Sequence, residues 1–314
     1  MIEFEIILAS IISMSAPLVL AVVGETISER VGIVNLSLEG TLLITAMVGF
    51  AVASVTGIVL LGFIAASLLG GLVAFLICFA NITLHINQIA VGFTLTILLG
   101  KLSSYLGQPF VRIPGPYTPH IDVPFADTIP IIGKVILDQN IIVWISILSI
   151  FISWWFIYKT KSGLILKATG ENPYSAAARG INVRFVKYIY GVLGGSFIGL
   201  AGASFSLHSH YGWSNNHTLN YGWICLAIVI FGGWNPIRGA LGAYAFGALQ
   251  IIALKLQGVT FGLSQVLPLI PFPLMILSLV LIQYSNEKKL LPDRVRRIIF
   301  GNMPEYLGIT YKRG

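Results

Sequence analysis

Thr41–Ala80, TLLITAMVGFAVASVTGIVLLGFIAASLLGGLVAFLICFA, runs for 40 residues without a charge. A helix needs roughly 20 mostly apolar residues to cross the hydrocarbon core of a bilayer, so this stretch is long enough for two crossings, 41–56 and 58–80. The rest of the chain has the same character. Its 314 residues are 56% hydrophobic and only 10% charged, where a soluble domain carries about 25% charged residues. Continuous apolar runs of this length lack the in–out alternation of barrel strands. The fold class that follows is all-α, a polytopic transmembrane helical bundle of about 8–10 spans. Outward from 41–80, further candidate spans fall near 6–24, 89–107, 139–158, 188–208, 223–234, 239–256 and 268–285.

The net charge of +7 is unevenly placed. Residues 159–187 carry a net +5 and the tail 286–314 a net +4, leaving −2 on the remainder. The positive-inside bias puts both basic segments, and with them the C-terminus, on the cytoplasmic side. The basic charge caps apolar spans rather than striping a soluble domain, so nucleic acid is not an expected partner. Two domains are expected: 1–285 in the membrane, including the loop 159–187, and a basic cytoplasmic tail, 286–314. The segment 108–138, with Pro114, Pro116, Pro119, Pro124 and Pro130, and the segment 209–222, without Lys or Arg, read as loops on the opposite side. Cys78 and Cys225 lie inside apolar segments and form no disulfide framework. Ile6–Val23 follows Glu3 and Glu5 rather than basic residues and is expected as a retained span, not a cleaved signal peptide.

Two places break the apolar pattern. Gly24–Gly40, GETISERVGIVNLSLEG, is too polar to span and too apolar for a free loop. Phe231–Gly239, FGGWNPIRG, interrupts an apolar run with Gly, Gly, Asn and Pro. Irregular backbone at membrane depth survives only inside protein or beside a water-filled cavity, and paired interruptions point to a transport path; re-entrant turns with structural Gly and Pro are the plainer alternative. Beyond the basic loop, Gly191, Gly195 and Gly199 stack on one helix face, with Gly202 next to them. Small residues let helices approach closely in lipid, so a packing role is expected for all four.

The loop itself, LKATGENPYSAAARGI (Leu166–Ile181), encodes a short helix. Asn172 suits an N-cap and Pro173 the first turn. Ala176, Ala177 and Ala178 favour helix, and Gly180 suits the stop. A small Ala face flanked by Lys and Arg fits a groove with an acidic rim on a soluble partner; lying on anionic headgroups is the alternative.

The run GENPYSAAARGINV (Gly170–Val183), followed by GVLGGSFIGLAGA (Gly191–Ala203), resembles the coupling region of ATP-binding-cassette importer permeases of the branched-chain amino acid, ribose and nucleoside group. GETISERVGIVNLSLEG is similar to that group's N-terminal motif. NQIAVGFTLTILL (Asn87–Leu99) and IVIFGGWNPIRGALGAYAFG (Ile228–Gly247) match further blocks. The likeness is strongest to nucleoside and simple-sugar permeases that work with basic-membrane-protein lipoproteins. It implies a multi-pass subunit of a bacterial plasma (inner) membrane. It also implies a second permease (a homologue or another copy), a cytoplasmic ABC ATPase, and an extracytoplasmic substrate-binding lipoprotein. Gly170, Glu171, Asn172, Pro173, Ala176, Ala177, Gly180 and Ile181 would be the ATPase-coupling loop. The chain has no G-x-x-x-x-G-K-[ST] phosphate loop. No cofactor is expected on this chain, and ATP and magnesium belong to the partner ATPase.

Candidate path residues are Glu25, Glu29, Arg30, Asn35 and Glu39 in the first broken element, Asn87 and Gln88 at the fourth span, and Trp234 and Asn235 in the second broken element. Ionisable groups in a membrane domain usually face the interior. Glu29 with Arg30 also reads as a structural ion pair or an interfacial pair, and Asn87 with Gln88 as a cytoplasmic turn following Asn81 and His85. Tyr211, Trp213, Tyr221 and Trp223 read as an interfacial aromatic belt. No carboxylate or thiol joins His208, His210 and His217, so no metal site is expected. No nucleophile–base pair stands out, so the chain is expected to be a transport subunit and not an enzyme. In the tail, Leu290, Leu291, Val295, Ile298 and Ile299 share one helix face, the pattern of a helix lying on the membrane. The expected function is ATP-driven import of a nucleoside by alternating access. Import of a simple sugar or riboflavin is the alternative within the class. An ion-gradient-driven secondary transporter is the alternative outside it, disfavoured by carboxylates that read as lying at span edges.

Overall fold

The computed structural model describes residues 2–120, 133–257 and 303–311, with single positions between 273 and 284. Among the described residues there is no β-strand, and seven helices are long and apolar enough to cross a membrane. The candidate span 268–285 and the apolar face Leu290–Ile299 lie outside them, bar those single positions. The helices are α1 (Ile2–Arg30), α2 (Leu38–Thr56), α3 (Val59–Ile82), α4 (Gln88–Leu106), α5 (Ile141–Lys159), α6 (Lys161–Glu171), α7 (Pro173–Ala178), α8 (Val183–Ser204), α9 (Tyr221–Phe231) and α10 (Pro236–Gln257). A π-helical turn, Phe205–Ser209, extends α8.

α1 is the centre of the bundle. Every residue from Ser15 to Ile33 is buried, so this helix is wrapped on all sides rather than along one stripe. It runs on through GETISER to Arg30 without a break. The expectation that Gly24–Gly40 is broken throughout is corrected: only 31–37 leave the helix. The polar side chains are tolerated because they face protein, not lipid.

α8 packs antiparallel to α1 and α3 at backbone distance. Gly195 and Gly199 meet Gly70 and Ala66 of α3, Gly191 meets Cys78, Gly194 meets Gly24 and Ser28 of α1, and Gly202 meets Thr45 of α2. A Cβ at Gly195 or Gly199 would collide with α3 backbone carbonyls. In lipid such close approach is itself the attraction, since burying apolar surface gains little there. α4 is peripheral; it touches the turn before α2 through Thr96 Oγ1 to Leu36 O (2.6 Å) and α2 itself through Ser103 Oγ to Leu43 O (2.8 Å).

The connections sort to two ends. At one end lie Arg30, the close of α5, α6, α7 and the start of α8. At the other, the chain after α4 crosses the bundle, with Thr118 N–H bonded to Leu207 O and Asn140 Nδ2 to Thr118 O.

Candidate functional site

The α7 end is built from local signals. Asn172 Oδ1 accepts from Ser175 N–H at 2.9 Å, with Pro173 in the first turn. Gly180, at φ 82°, closes the helix: Ile181 N–H reaches Ala176 O and Gly180 N–H reaches Ala177 O, the paired bonds of a glycine-terminated helix. Pro173 and Ala176 are buried, while Tyr174, Ser175, Ala178 and Arg179 are exposed. Gly170 is also buried, its Cα against the Arg30 carbonyl. Gly170, Pro173 and Ala176 therefore seat this element on the bundle. The surface open to a partner is Tyr174, Ser175, Ala178, Arg179 and Gly180, with Ala177 and Ile181 half-buried beside it. α6, capped by Thr160 Oγ1 accepting from Gly163 N–H at 3.0 Å, was not expected as a helix.

The second element sits deeper. α9 has 11 residues, about 16 Å of helix, roughly half of the hydrocarbon thickness. Its start is met by Glu39, which accepts from Asn220 N–H at 2.6 Å and Gly222 N–H at 2.8 Å. Its end runs into the turn Gly232–Asn235, where Trp234 holds a left-handed φ of 54°. Arg30 donates to two buried carbonyls of that turn, Trp234 O at 2.8 Å and Gly233 O at 3.2 Å. Arg30 also donates to Tyr158 Oη at 3.3 Å and lies 3.9 Å from Glu171. The indole N–H of Trp234 donates to Glu29. A carboxylate at a helix start and a guanidinium at its end both complement the helix dipole.

Thus Glu29, Arg30, Glu39 and Trp234, taken from both interruptions, converge on α9. Glu29 and Arg30 do not pair with each other; Glu29 takes the indole N–H of Trp234 and Arg30 its backbone carbonyl. Asn35 Oδ1 accepts from Ser37, and its N–H donates to Glu25 at 3.3 Å. Asn87 is an exposed cap accepting from Ile89 N–H at 2.9 Å, and Asn235 caps α10 through Ile237 N–H at 3.0 Å. Gln88 is fully buried. Glu25 and Glu29 lie in the last two turns of α1 with their side chains buried, because that helix continues past Gly24 to Arg30. The aromatic belt is corrected at Trp213 and Tyr221, while Trp223 stays exposed. Trp213 is buried against Gly107, and Tyr221 packs on Phe205 and Phe246 and accepts from Gln250 Nε2 at 2.7 Å; Tyr211 stays exposed.

His208 bonds to Ser13 of α1, and His210 stacks edge-on against His217. His217 bonds to Ser206 Oγ and Ser214 O. Burial, helped by neighbouring His210, pushes the His217 imidazole down to about 4.

Sequence reasoning missed three features. Glu39 caps a helix 181 residues away, and no local signal announces that. Lys187 is fully buried with no partner for its Nζ among the described residues. The segment Met303–Tyr311 folds back onto α6 and α7, with Tyr306 N–H bonded to Gly170 O at 3.0 Å.

The family model described as branched-chain amino acid transport system / permease component matches residues 7–279. The chain is 30% identical to the nucleoside ABC transporter permease of Lactococcus lactis subsp. cremoris over 292 residues, covering 88% of this chain and 92% of that one. It is 32% identical to the guanosine ABC transporter permease of Bacillus subtilis over 264 residues, covering 77% and 79%. It is 33% identical to an ABC transporter permease of Haloferax volcanii provisionally assigned to glucose, over 256 residues, covering 80% and 78%. No solved structure matches the chain.

Proposed function

This chain belongs to the branched-chain amino acid transport system permease family, and from that premise we propose that it carries a nucleoside across the membrane for an ATP-driven importer. The partners in this reading are a second permease, a cytoplasmic ABC ATPase and an external binding lipoprotein. The observation that carries it is α7, a capped helical knob at one end of the bundle, four residues from the start of α8. That end is the cytoplasmic one in this reading, since residues 159–187 concentrate the positive charge. The chain supplies no phosphate loop, so force enters from the partner through α7. α8 then carries it to α1, α2 and α3, with which it packs glycine to backbone. Nucleosides are neutral, and the two broken elements offer amides, carboxylate oxygens and an indole, with the Arg30 guanidinium engaged by backbone carbonyls.

The test is copurification with the ATPase, followed by uptake of tritiated guanosine. Ala178→Trp with Arg179→Glu, both on the exposed face of α7, should leave membrane insertion intact and abolish uptake. Persistent uptake with this face blocked would refute the coupling role. The 33% identity to the glucose-assigned relative favours a simple sugar as the second reading. Uptake of radiolabelled glucose by the same assembly, with no uptake of guanosine, would select it.

A further inference from the structure

We infer that the C-terminal segment Met303–Tyr311 is a working part of the coupling machinery, with Tyr306 and Tyr311 as positioning residues that tie α7 to the cytoplasmic mouth of the bundle. This rests on the reading of α7 as the ATPase-docking element.

One edge of the segment grips the α6–α7 junction. Tyr306 N–H donates to Gly170 O at 3.0 Å, and Glu305 N–H donates to Glu171 Oε2 at 3.3 Å. The ring of Tyr174, on α7, lies between Tyr306 (5.7 Å between centroids) and Tyr311 (5.1 Å). Tyr311 is buried in a small cluster with Ala176 of α7 and Val183 of α8. α7 is only six residues long and has little packing of its own. Any displacement of α7 must therefore drag these two rings.

The other edge lies over the ends of the membrane helices. Thr310 Oγ1 accepts from Asn81 Nδ2 of α3 at 3.2 Å. Gly308, at φ 80°, lies beside the α1–α2 turn and the start of α4, where a Cβ would make van der Waals contact with Val34 (3.5 Å) and Gln88 Nε2 (3.7 Å). A Cβ on Gly32, in the α1–α2 turn, would lie 3.2 Å from Tyr306 O and 3.5 Å from Lys187 Nζ. One short segment thus touches α6, α7, the α1–α2 turn, α3 and α4.

What it covers is polar. Lys187 Nζ, Asn81 Oδ1, Thr169 Oγ1 and both amide atoms of Gln88 are buried without hydrogen-bond partners among the described residues. Such groups are costly to hold away from water, and opening this mouth would return them to it. A layer of this kind stays shut only if something else holds it, and the segment supplies the tie. When the ATPase moves α7, the tie slackens and the mouth opens.

The test uses the assembled transporter with its ATPase and binding protein in proteoliposomes, reading tritiated guanosine import and ATP hydrolysis together. Tyr306→Ala with Tyr311→Ala should retain the ATPase and its hydrolysis while import per ATP falls at least about tenfold. Tyr306→Phe with Tyr311→Phe should restore it, because the rings remain. A purely structural role would lower import and hydrolysis in parallel, or leave their ratio unchanged, and either result overturns the inference. The second arm avoids folding defects. Asn81→Cys with Thr310→Cys, bridged by a short thiol-cleavable bis-methanethiosulfonate, should lose import and recover it with dithiothreitol. Import at the unbridged rate while bridged overturns the tie. Failure of the ATPase to copurify with the unmodified chain would instead overturn the reading of α7.

Discussion

The two ends of α9 present opposite electrostatic problems, and the short stretch Glu29–Glu39 answers both. At the start, amide N–H groups point into the bundle and Glu39 accepts two of them. Just past the end, the turn leaves the Gly233 and Trp234 carbonyls open, and Arg30 donates to both. The answers differ in reach. Glu39 serves the start of α9 alone. Arg30 continues to Tyr158 of α5 and Glu171 of α6, and Glu171 in turn accepts from Glu305. One end of the half-span is a closed cap, and the other is connected to the α6–α7 end of the bundle. The lesson is that a break in a membrane helix is tolerated when remote side chains satisfy its backbone, and that the choice of side chain decides what else the break is joined to.

The largest effect that would break this contrast is at Arg30. Arg30→Leu leaves two buried carbonyls without their donor and should cost on the order of 3 kcal/mol, read as thermal unfolding in detergent, with uptake lost. Glu39→Gln keeps an acceptor oxygen for one N–H and faces the other with an amide donor. Its expected cost is about 1–2 kcal/mol, with residual uptake. Equal losses from the two variants would erase the distinction between cap and connection. The smallest effect concerns His217, in the segment leading down to the start of α9. Folded, it stays neutral to about 4, whereas an unfolded histidine takes its proton near 6.5. The stability it contributes is present above about 6.5 and is lost as pH falls towards 4. The melting midpoint should drop between pH 7 and pH 5 by a few degrees, and less in His217→Asn. An identical pH slope in both proteins would remove His217 from the account.

Legibility followed locality. Asn172, Pro173 and Gly180 act within a few residues of themselves, so the sequence alone suffices for the knob. The Gly-Gly-Trp-Asn-Pro run likewise announces its break. Gly24–Arg30 misled because hydropathy prices each polar residue against lipid, while Glu29 and Arg30 face the Trp234 turn more than 200 residues away. Trp213 and Tyr221 misled for the same reason, since nothing near them states that a half-span leaves room for aromatic rings inside the bundle. Residues 303–311 were hidden within a basic tail, although that stretch carries a single charge, Glu305, and two tyrosines.

The glycines of α8 carry a practical consequence. One added methyl at Gly195 or Gly199 strikes a main chain that has no rotamer to yield, whereas Leu193 or Phe151 faces outward and accepts most apolar replacements. Tolerance to substitution along this chain should therefore be sorted by the smallness of a residue rather than by its polarity, and a saturation library would display α8 as a ladder of forbidden rungs.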